Sequence, residues 1–329
     1  MRTITRRAAV AAGLALPAAA RAQGGAQGGG QGTARPIRLI SPFAPGGAID
    51  VLNRLLAERL SVHLGGQTVV VDARPGANTI VGAEALARSA PDGLTFMITT
   101  SSTAMNNLAL YPSLPYDPAK DMVPVTMLSI GSVLLTGPGN APYSDLRGFL
   151  DWAKARGRVT YGSWGVGSSA HLYGELLKRE HGAPLEHVPY RGEQAAILDV
   201  IAGRLDVTFA SPVGARPQVG AGALRALGMV GDRRSAAMPE VPTFGEQGFE
   251  GFDLLIFVAA YVPGGTPAAG IARLNAALRA VSAEPEIRAK MLEQGQTPVA
   301  SSPEELAAVQ ARDTPRWAAL IRQAGARVE

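Results

Sequence analysis

The stretch Ser41-Pro42-Phe43-Ala44-Pro45-Gly46-Gly47-Ala48-Ile49-Asp50 joins a short apolar run, Ile37 to Ile40, to an amphipathic run, Ile49 to Leu64. A strand should end here, two glycines turn the chain, and a helix begin. The first turn of a helix leaves backbone N–H groups without partners and carries partial positive charge. A Gly-Gly approach keeps side chains out of a ligand's way, which makes Phe43, Gly46 and Gly47 candidates for a backbone anion site. Asp50, in the first helical turn, has two readings: it neutralises the loop amides and the dipole, or it meets a ligand ammonium or hydroxyl. Gly162-Ser163-Trp164-Gly165-Val166-Gly167-Ser168-Ser169 offers a second such turn, with Ser168 or Ser169 as the helix cap. Trp164 sits mid-loop, as a lid over a cleft or as packing between lobes.

The same residues invite other chemistries. Gly165-Val166-Gly167-Ser168-Ser169-Ala170 fits the dinucleotide pattern G-x-G-x-x-A, and Glu186 lies near the distance of a ribose-binding acid. That supports a dinucleotide-binding oxidoreductase as one alternative; a second backbone anion site is the other. Ser163, His171 and Asp206 would be the material of a hydrolase, but Tyr161 occupies the first glycine of the G-x-S-x-G elbow and the chain order Ser-His-Asp is not that of the fold. His171 is then a residue that orients a loop or a ligand oxygen. There is no Cys, no H-E-x-x-H and no carboxylate cluster, so neither a metal site nor a cofactor is expected.

Short apolar runs alternate with amphipathic ones along nearly the whole chain, which predicts an α/β protein with mostly parallel sheets. Ile49, Leu52, Leu56 and Leu60 share one face of the first helix. In open parallel sheets, ligands bind beyond the carboxyl ends of the strands. Polar and glycine-rich residues collect at those ends: Asn78 after the second strand, Ser101 after the third, the 162–169 loop, Tyr190 before Arg191-Gly192, and Ser211-Pro212. Two sets of loops from two lobes could close on one small molecule. Gly137-Pro138-Gly139-Asn140 and the region near Gly251 read as the passages between lobes. They give 36–137 plus 253–329 as the first lobe and 138–252 as the second.

The leading segment bounds where the protein works. Met1 to Arg7 is basic, Ala8 to Ala20 is apolar, and Ala20-Arg21-Ala22 is a cleavage signal, so 1–22 reads as an export signal. Arg6-Arg7 is compatible with the twin-arginine route or the general secretion route, either one leading to the periplasm. The Gly- and Gln-rich 23–35 stretch reads as a flexible leader spanning roughly 20 Å. The chain carries 31 Lys+Arg against 27 Asp+Glu, but Arg2, Arg6, Arg7 and Arg21 fall in the export signal and leave the remainder balanced. With no block of like charge, nucleic acid is not an expected partner.

Many ordered motifs now resemble one family. Ile37-Arg38-Leu39-Ile40-Ser41-Pro42-Phe43-Ala44-Pro45-Gly46-Gly47 with Asp50, Arg74-Pro75-Gly76-Ala77, Ala90-Pro91-Asp92-Gly93, Leu114-Pro115-Tyr116-Asp117-Pro118, Tyr161-Gly162-Ser163, His187-Val188-Pro189-Tyr190-Arg191-Gly192 and Pro263-Gly264-Gly265-Thr266-Pro267 resemble the substrate-binding receptors of tripartite tricarboxylate transporters, the Bug family. The resemblance runs from Pro36 to about Gly325. It implies a two-lobed periplasmic binding protein of type II-like form, with a hinge and an interlobe cleft. It also implies a monomer, a small organic carboxylate as ligand, and delivery to membrane permease subunits. Carried over, the pocket would be Phe43, Gly46, Gly47, Asp50, Asn78, Ser101, Gly162, Ser163, Gly167, Ser168, His171, Tyr190 and Asp206, with Trp164 added from the loop reading. A ligand-sensing module for a signalling partner would share this fold. Departures from the family pattern cluster at this pocket: Asn78-Thr79 where a Gly-Gly pair is common, Ala104 in place of a frequent His, and Trp164 at a usually small position.

Overall fold

The computed structural model describes residues 35–46, 48–190 and 192–327, and within them the strands divide between two sheets. The expected export signal and all but the last residue of the leader lie outside the described residues, as does Gly47. In chain order, β1 (Ile37–Ser41), β2 (Val69–Ala73), β3 (Thr95–Thr100) and β4 (Val123–Gly131) open the first sheet. The second holds β5 (Val133–Pro138), β6 (Val159–Ser163), β7 (Leu185–Pro189), β8 (Val207–Ala210) and β9 (Leu224–Val230). The chain then returns with β10 (Ile256–Val262) and β11 (Gln296–Pro298). The first sheet has the order β11-β4-β10-β3-β1-β2 and the second β7-β6-β8-β5-β9. The helices are α1 (Ala48–His63), α2 (Ile80–Ala87), α3 (Asn107–Leu110), α4 (Pro118–Asp121), α5 (Leu146–Arg156), α6 (Ser169–His181), α7 (Glu193–Ile201), α8 (Pro212–Gly220), α9 (Ala268–Ala283), α10 (Pro285–Glu293) and α11 (Pro303–Gln323). The protein is α/β and two-lobed, one lobe per sheet.

The sheets are mixed rather than mostly parallel. β1 pairs in parallel with β2 and β3, and β6 with β7 and β8. β10 is antiparallel to both β3 and β4, β11 to β4, and β5 to β8 and β9. The cause is the passage between lobes. A strand that leaves one sheet for the other and a strand that returns must run in opposite senses where they lie side by side. β4 and β10 do so, with Gly131 opposite Ile256 at the point of crossing. Because β5 is hydrogen-bonded within the second sheet, the first passage lies at Gly131–Val133 and not at Gly137, where turn chemistry placed it.

The first lobe's outer core forms as the periodicity requires. Leu52, Leu56 and Leu60 of α1 are fully buried and pack with Leu274, Leu278 and Val281 of α9. Each such leucine contributes roughly 1.5–3 kcal/mol of burial. A second core runs continuously from the first sheet through β6, α6 and α11.

α11 departs from the sequence expectation of two helices, 303–311 and 314–324. It is one helix in spite of Pro315. Ser302 and Glu305 form a capping box at its start, while buried Trp317, Leu320 and Ile321 hold the turns beyond the proline. This packing outweighs the roughly 3 kcal/mol that an interior proline costs. α11 packs on β4 in one lobe and on α6 in the other, with the Trp317 and Tyr173 rings 5.5 Å apart. Its Asp313 is fully buried, accepting from Arg312 Nε at 2.6 Å, from Arg316 Nη1 at 3.4 Å, and from the Leu255 amide at 3.4 Å. That amide lies directly before β10, so α11 fastens the returning strand. The sequence reading also passed over β11, α3, α4 and α8; the last hides behind Pro212, Gly214, Pro217 and Gly220, poor helix formers all.

Asp313→Ala is expected to destabilise the protein by about 3 kcal/mol, because it leaves Arg312 and a buried amide without their acceptor and removes one of the two partners of Arg316. Urea unfolding compared with Asp253→Ala, whose half-exposed carboxylate pairs with Arg316, checks it; equal losses would contradict the assignment.

Candidate functional site

The two helix starts singled out in the sequence have different fates. At the first, Asp50 is fully buried and accepts from the Gly46 amide at 3.0 Å, from Arg54 Nε at 2.8 Å and from Ser41 Oγ at 3.5 Å. Burial pushes its pKa up, but Arg54, the Gly46 amide and Ser41 together outweigh burial and hold it below the ordinary value. The protein's own carboxylate therefore occupies this loop. Of Asp50's two readings, the structure favours the one in which it neutralises loop amides. Phe43 is half-buried and Gly46 exposed; neither they nor Asp50 line the interlobe cleft.

At the second helix start the amides stay open. β6 ends in Ser163, the loop turns at Gly165 and Gly167, and Ser168 caps α6 by accepting from the His171 amide at 3.3 Å. The Gly167 amide donates to His171 Nδ1 at 3.1 Å. Ser169 and Ala170, the first residues of α6, keep N–H groups that no helical carbonyl can reach. This terminus faces a cleft of about 590 Å³ between the lobes. The first lobe lines it with Asn78, Thr100, Ser102 and Tyr111, and the hinge with Gly131, Ser132, Val133 and Ile256. The second contributes Trp164, Gly167, Ser168, Ser169, Glu193 and Ser211. Among the described residues no Lys, Arg or His lines it, and Glu193 is the one charged side chain that does.

Asn78 reaches the cleft on a strained turn. Ala77, Asn78 and Thr79 have φ of 44°, 49° and 75°, three consecutive left-handed residues that are not glycine. Each costs roughly 1–2 kcal/mol. Buried Asn107 offsets this by accepting from Asn78 Nδ2 at 2.9 Å and donating to the Asn78 carbonyl at 3.1 Å. Thr79 Oγ1 adds a contact of 2.7 Å with Thr103 Oγ1. The residues that stand where the family commonly has Gly-Gly thus keep the conformation glycine would take freely.

Several expected residues support the cleft from behind. Ser163 is fully buried; its hydroxyl donates to the Gly165 carbonyl at 3.0 Å, accepts from the Gly165 amide at 3.1 Å and meets His187 Nε2 at 2.6 Å. The His187 ring stacks on His171 at 4.0 Å. Ser163 therefore pairs with His187 rather than with His171. A Cβ on Gly162 would lie 2.7 Å from Leu205 and 2.9 Å from Ala196, so that glycine permits close packing. Ser101 is buried and accepts from the Phe257 amide at 3.4 Å, while its neighbours Thr100 and Ser102 face the cleft. Tyr190 donates to Asp199 at 2.7 Å, and burial together with that carboxylate pushes its hydroxyl up to about 12.

Asp206 is placed elsewhere altogether. It precedes β8 and accepts from the amide and hydroxyl of Thr160 at 2.8 and 2.9 Å, at the start of β6. The cleft opens at the other end of those strands. Glu186 is half-exposed and pairs with Arg158. Trp164 both lines the cleft and packs against the core. Thr100, Ser102, Tyr111, Ser132, Ser169, Glu193 and Ser211 were missed as individual sites. For Thr100, Ser102 and Ser169 the available signal was adjacency to an expected residue at a strand end or a helix start. For Glu193 it was an acid in the first turn of a helix beyond a strand end.

The lobes approach closely at Gly167. A Cβ on Gly167, whose φ is +77°, would lie 2.8 Å from Leu110 Cδ2 in the opposite lobe. Gly167 therefore serves both the turn and the approach of the lobes.

Residues 52–326 match the family described as tripartite tricarboxylate transporter family receptor. The chain is 35% identical over 299 residues to Protein BugT of Bordetella pertussis, covering 90% of this chain and 91% of the relative. A solved TctC solute-binding protein from Polaromonas superposes with a TM-score of 0.79 at 26% identity, covering 88% of this chain and 98% of that one. An R. palustris protein solved with adipate gives 0.72 at 30% identity, covering 89% and 98%.

Two outcomes follow from the site's geometry. Gly167→Ala is expected to weaken binding of whatever ligand the cleft takes by tenfold or more, with a fold loss of only about 1–2 kcal/mol from the left-handed φ. Adding Leu110→Ala should recover most of the affinity, read by calorimetry, and no recovery would speak against lobe contact as the cause. The second concerns His187, which burial and then the His171 ring push down to about 4. Its folded pKa lies below its unfolded value, so its contribution is complete above about pH 6.5 and is lost as pH falls toward 4. The contribution is on the order of 2 kcal/mol, and an NMR titration midpoint for His187 above pH 6 would contradict it.

Proposed function

The chain belongs to the tripartite tricarboxylate transporter receptor family, and on that premise we propose that it captures a small organic carboxylate between its lobes and delivers it to the membrane permease subunits of such a transporter. The family is one of solute-binding receptors and not of enzymes. The observation that carries the ligand class is the open start of α6, whose amides face an interlobe cleft lined with hydroxyls. Amides and hydroxyls bind an anion without a counter-cation, and each charge-assisted bond contributes roughly 1.5–3 kcal/mol. A relative solved with adipate supports the same class.

Closure is the output in this reading. A ligand that touches both lobes stabilises the closed state by its differential affinity for that state. We place the protein in the periplasm as a monomer, exported by the 1–22 segment through the twin-arginine or general secretion route; among the described residues no helix is long and apolar enough to cross a membrane. The G-x-G-x-x-A segment does its work here as the turn before α6, and the dinucleotide reading is set aside with the enzyme class.

Purified mature protein should unfold several degrees higher with at least one small carboxylate at a hundred times its Kd, a gain of about 2.7 kcal/mol by mass action. Thermal unfolding against a panel of mono-, di- and tricarboxylates checks this. A panel without a single shift would end the receptor reading.

A further inference from the structure

We propose that the ligand carries a protonated amine as well as its carboxylate, so that the cleft selects a zwitterion over the corresponding dicarboxylate. The inference rests on the receptor reading above and adds the second recognition group. It comes from two observations on opposite walls.

The first is the orientation of the Asn78 amide, which a chain of hydrogen bonds fixes. The Tyr116 hydroxyl has one proton and gives it to the Thr103 carbonyl at 2.7 Å. Its oxygen can then only accept from Asn107 Nδ2, at 3.3 Å. The same Nδ2 donates to the Asn78 carbonyl at 3.1 Å. Asn107 Oδ1 is therefore the acceptor that takes Asn78 Nδ2 at 2.9 Å. The Asn78 amide nitrogen is thereby turned to Asn107 and also donates to the Tyr111 hydroxyl, where burial raises the Tyr111 pKa and this bond acts to lower it; Asn78 Oδ1 accepts no hydrogen bond among the described residues. What Asn78 offers a ligand is an acceptor, although the anion it lines up with needs donors.

The second is Glu193. Its carboxylate caps the start of α8, accepting from the Ser211 amide at 2.7 Å and from Ser211 Oγ at 2.8 Å. Each oxygen keeps a free lone pair, and no cation neutralises the group among the described residues. Among the described residues it is the one charge on the cleft lining. The cleft thus offers two kinds of partner: the open amides of α6 take a carboxylate, while Glu193 of the second lobe and Asn78 Oδ1 of the first ask for a donor, preferably a positive one. A second ligand carboxylate in their reach would face a like charge in a site shielded from water, where repulsion is stronger than in bulk solvent.

The test uses matched compounds on chains of about four to six carbons, a size suited to a cleft of this volume: each dicarboxylate, its ω-amino acid and its ω-hydroxy acid, adipate, ω-aminohexanoate and ω-hydroxyhexanoate among them. Affinities are measured by calorimetry on the intact mature protein and on Glu193→Gln, whose amide oxygen can still accept from the Ser211 amide while its nitrogen can donate to Ser211 Oγ. The expected result is that the best-fitting amino acid binds wild type at least tenfold more tightly than its dicarboxylate, and that Glu193→Gln reduces this preference by tenfold or more. A dicarboxylate that binds wild type as well as the amino acid, a hydroxy acid that equals the amino acid, or a preference unmoved by Glu193→Gln would each overturn the inference. If wild type binds none of the three classes, nor any carboxylate of the wider panel, the receptor reading fails and this one with it.

Discussion

The amides of Ser169 and Ala170 at the start of α6 find no acceptor in their own helix, and among the described residues no other group takes them. Ser168 caps one turn further on, at the His171 amide. His171 takes the Gly167 amide, and its ring is stacked on His187, which is itself tied to Ser163. These contacts fix the loop without filling the helix start. The cost of leaving buried or half-buried amides unpaired is considerable, so a site of this kind is stable only where it opens to solvent or ligand. The interlobe cleft supplies that opening. At the first helix start, by contrast, Asp50 accepts from the Gly46 amide, with Ser41 and Arg54 completing its shell, so the protein's own carboxylate takes up that donor.

The rest of the architecture brings two walls to this point and lets them move. The lobes share β4 and β10, paired at Gly131 and Ile256, and both residues lie on the cleft floor. α11 spans the lobes on the far side through Trp317 and fastens the Leu255 amide through Asp313. The cleft is thus hinged along its floor. Its mouth is limited by the approach of Gly167 to Leu110. The first lobe adds the left-handed turn at 77–79, held by Asn107. The strain there is compensated by a buried polar network, the arrangement expected where a side chain must be held in a particular place.

Much of this was legible in the chain, for physical reasons that can be named. Apolar runs with periods of two and of three to four residues located β1, α1, α6 and α9 closely, because those elements bury one face and expose another. Glycines at 165 and 167 and a serine at 168 marked the α6 start, because few residue types tolerate positive φ or cap a helix. α8 was not legible, since its prolines and glycines carry no helical signal and only packing in the second lobe makes it helical. Pro315 pointed to a break in α11 that burial of Trp317 and Ile321 overrides. The parallel bias of the expected sheets failed at β4, β5, β10 and β11, because strand direction there follows from crossing between lobes, and local sequence has no record of which strand will lie beside which.

The sequence by itself determined the class of the fold and the family, and it marked the glycine-rich starts of α1 and α6, since each of these depends on short-range patterns of residue type. Only the tertiary structure decided which of two similar helix starts remains open. It alone paired Asp206 with Thr160 at the far end of the strands, buried Ser163 behind the loop, and brought Glu193 and Asn78 to the cleft wall. Those outcomes depend on which hydrogen-bond partners meet across separate elements, and hydrogen bonds are satisfied in space rather than along the chain.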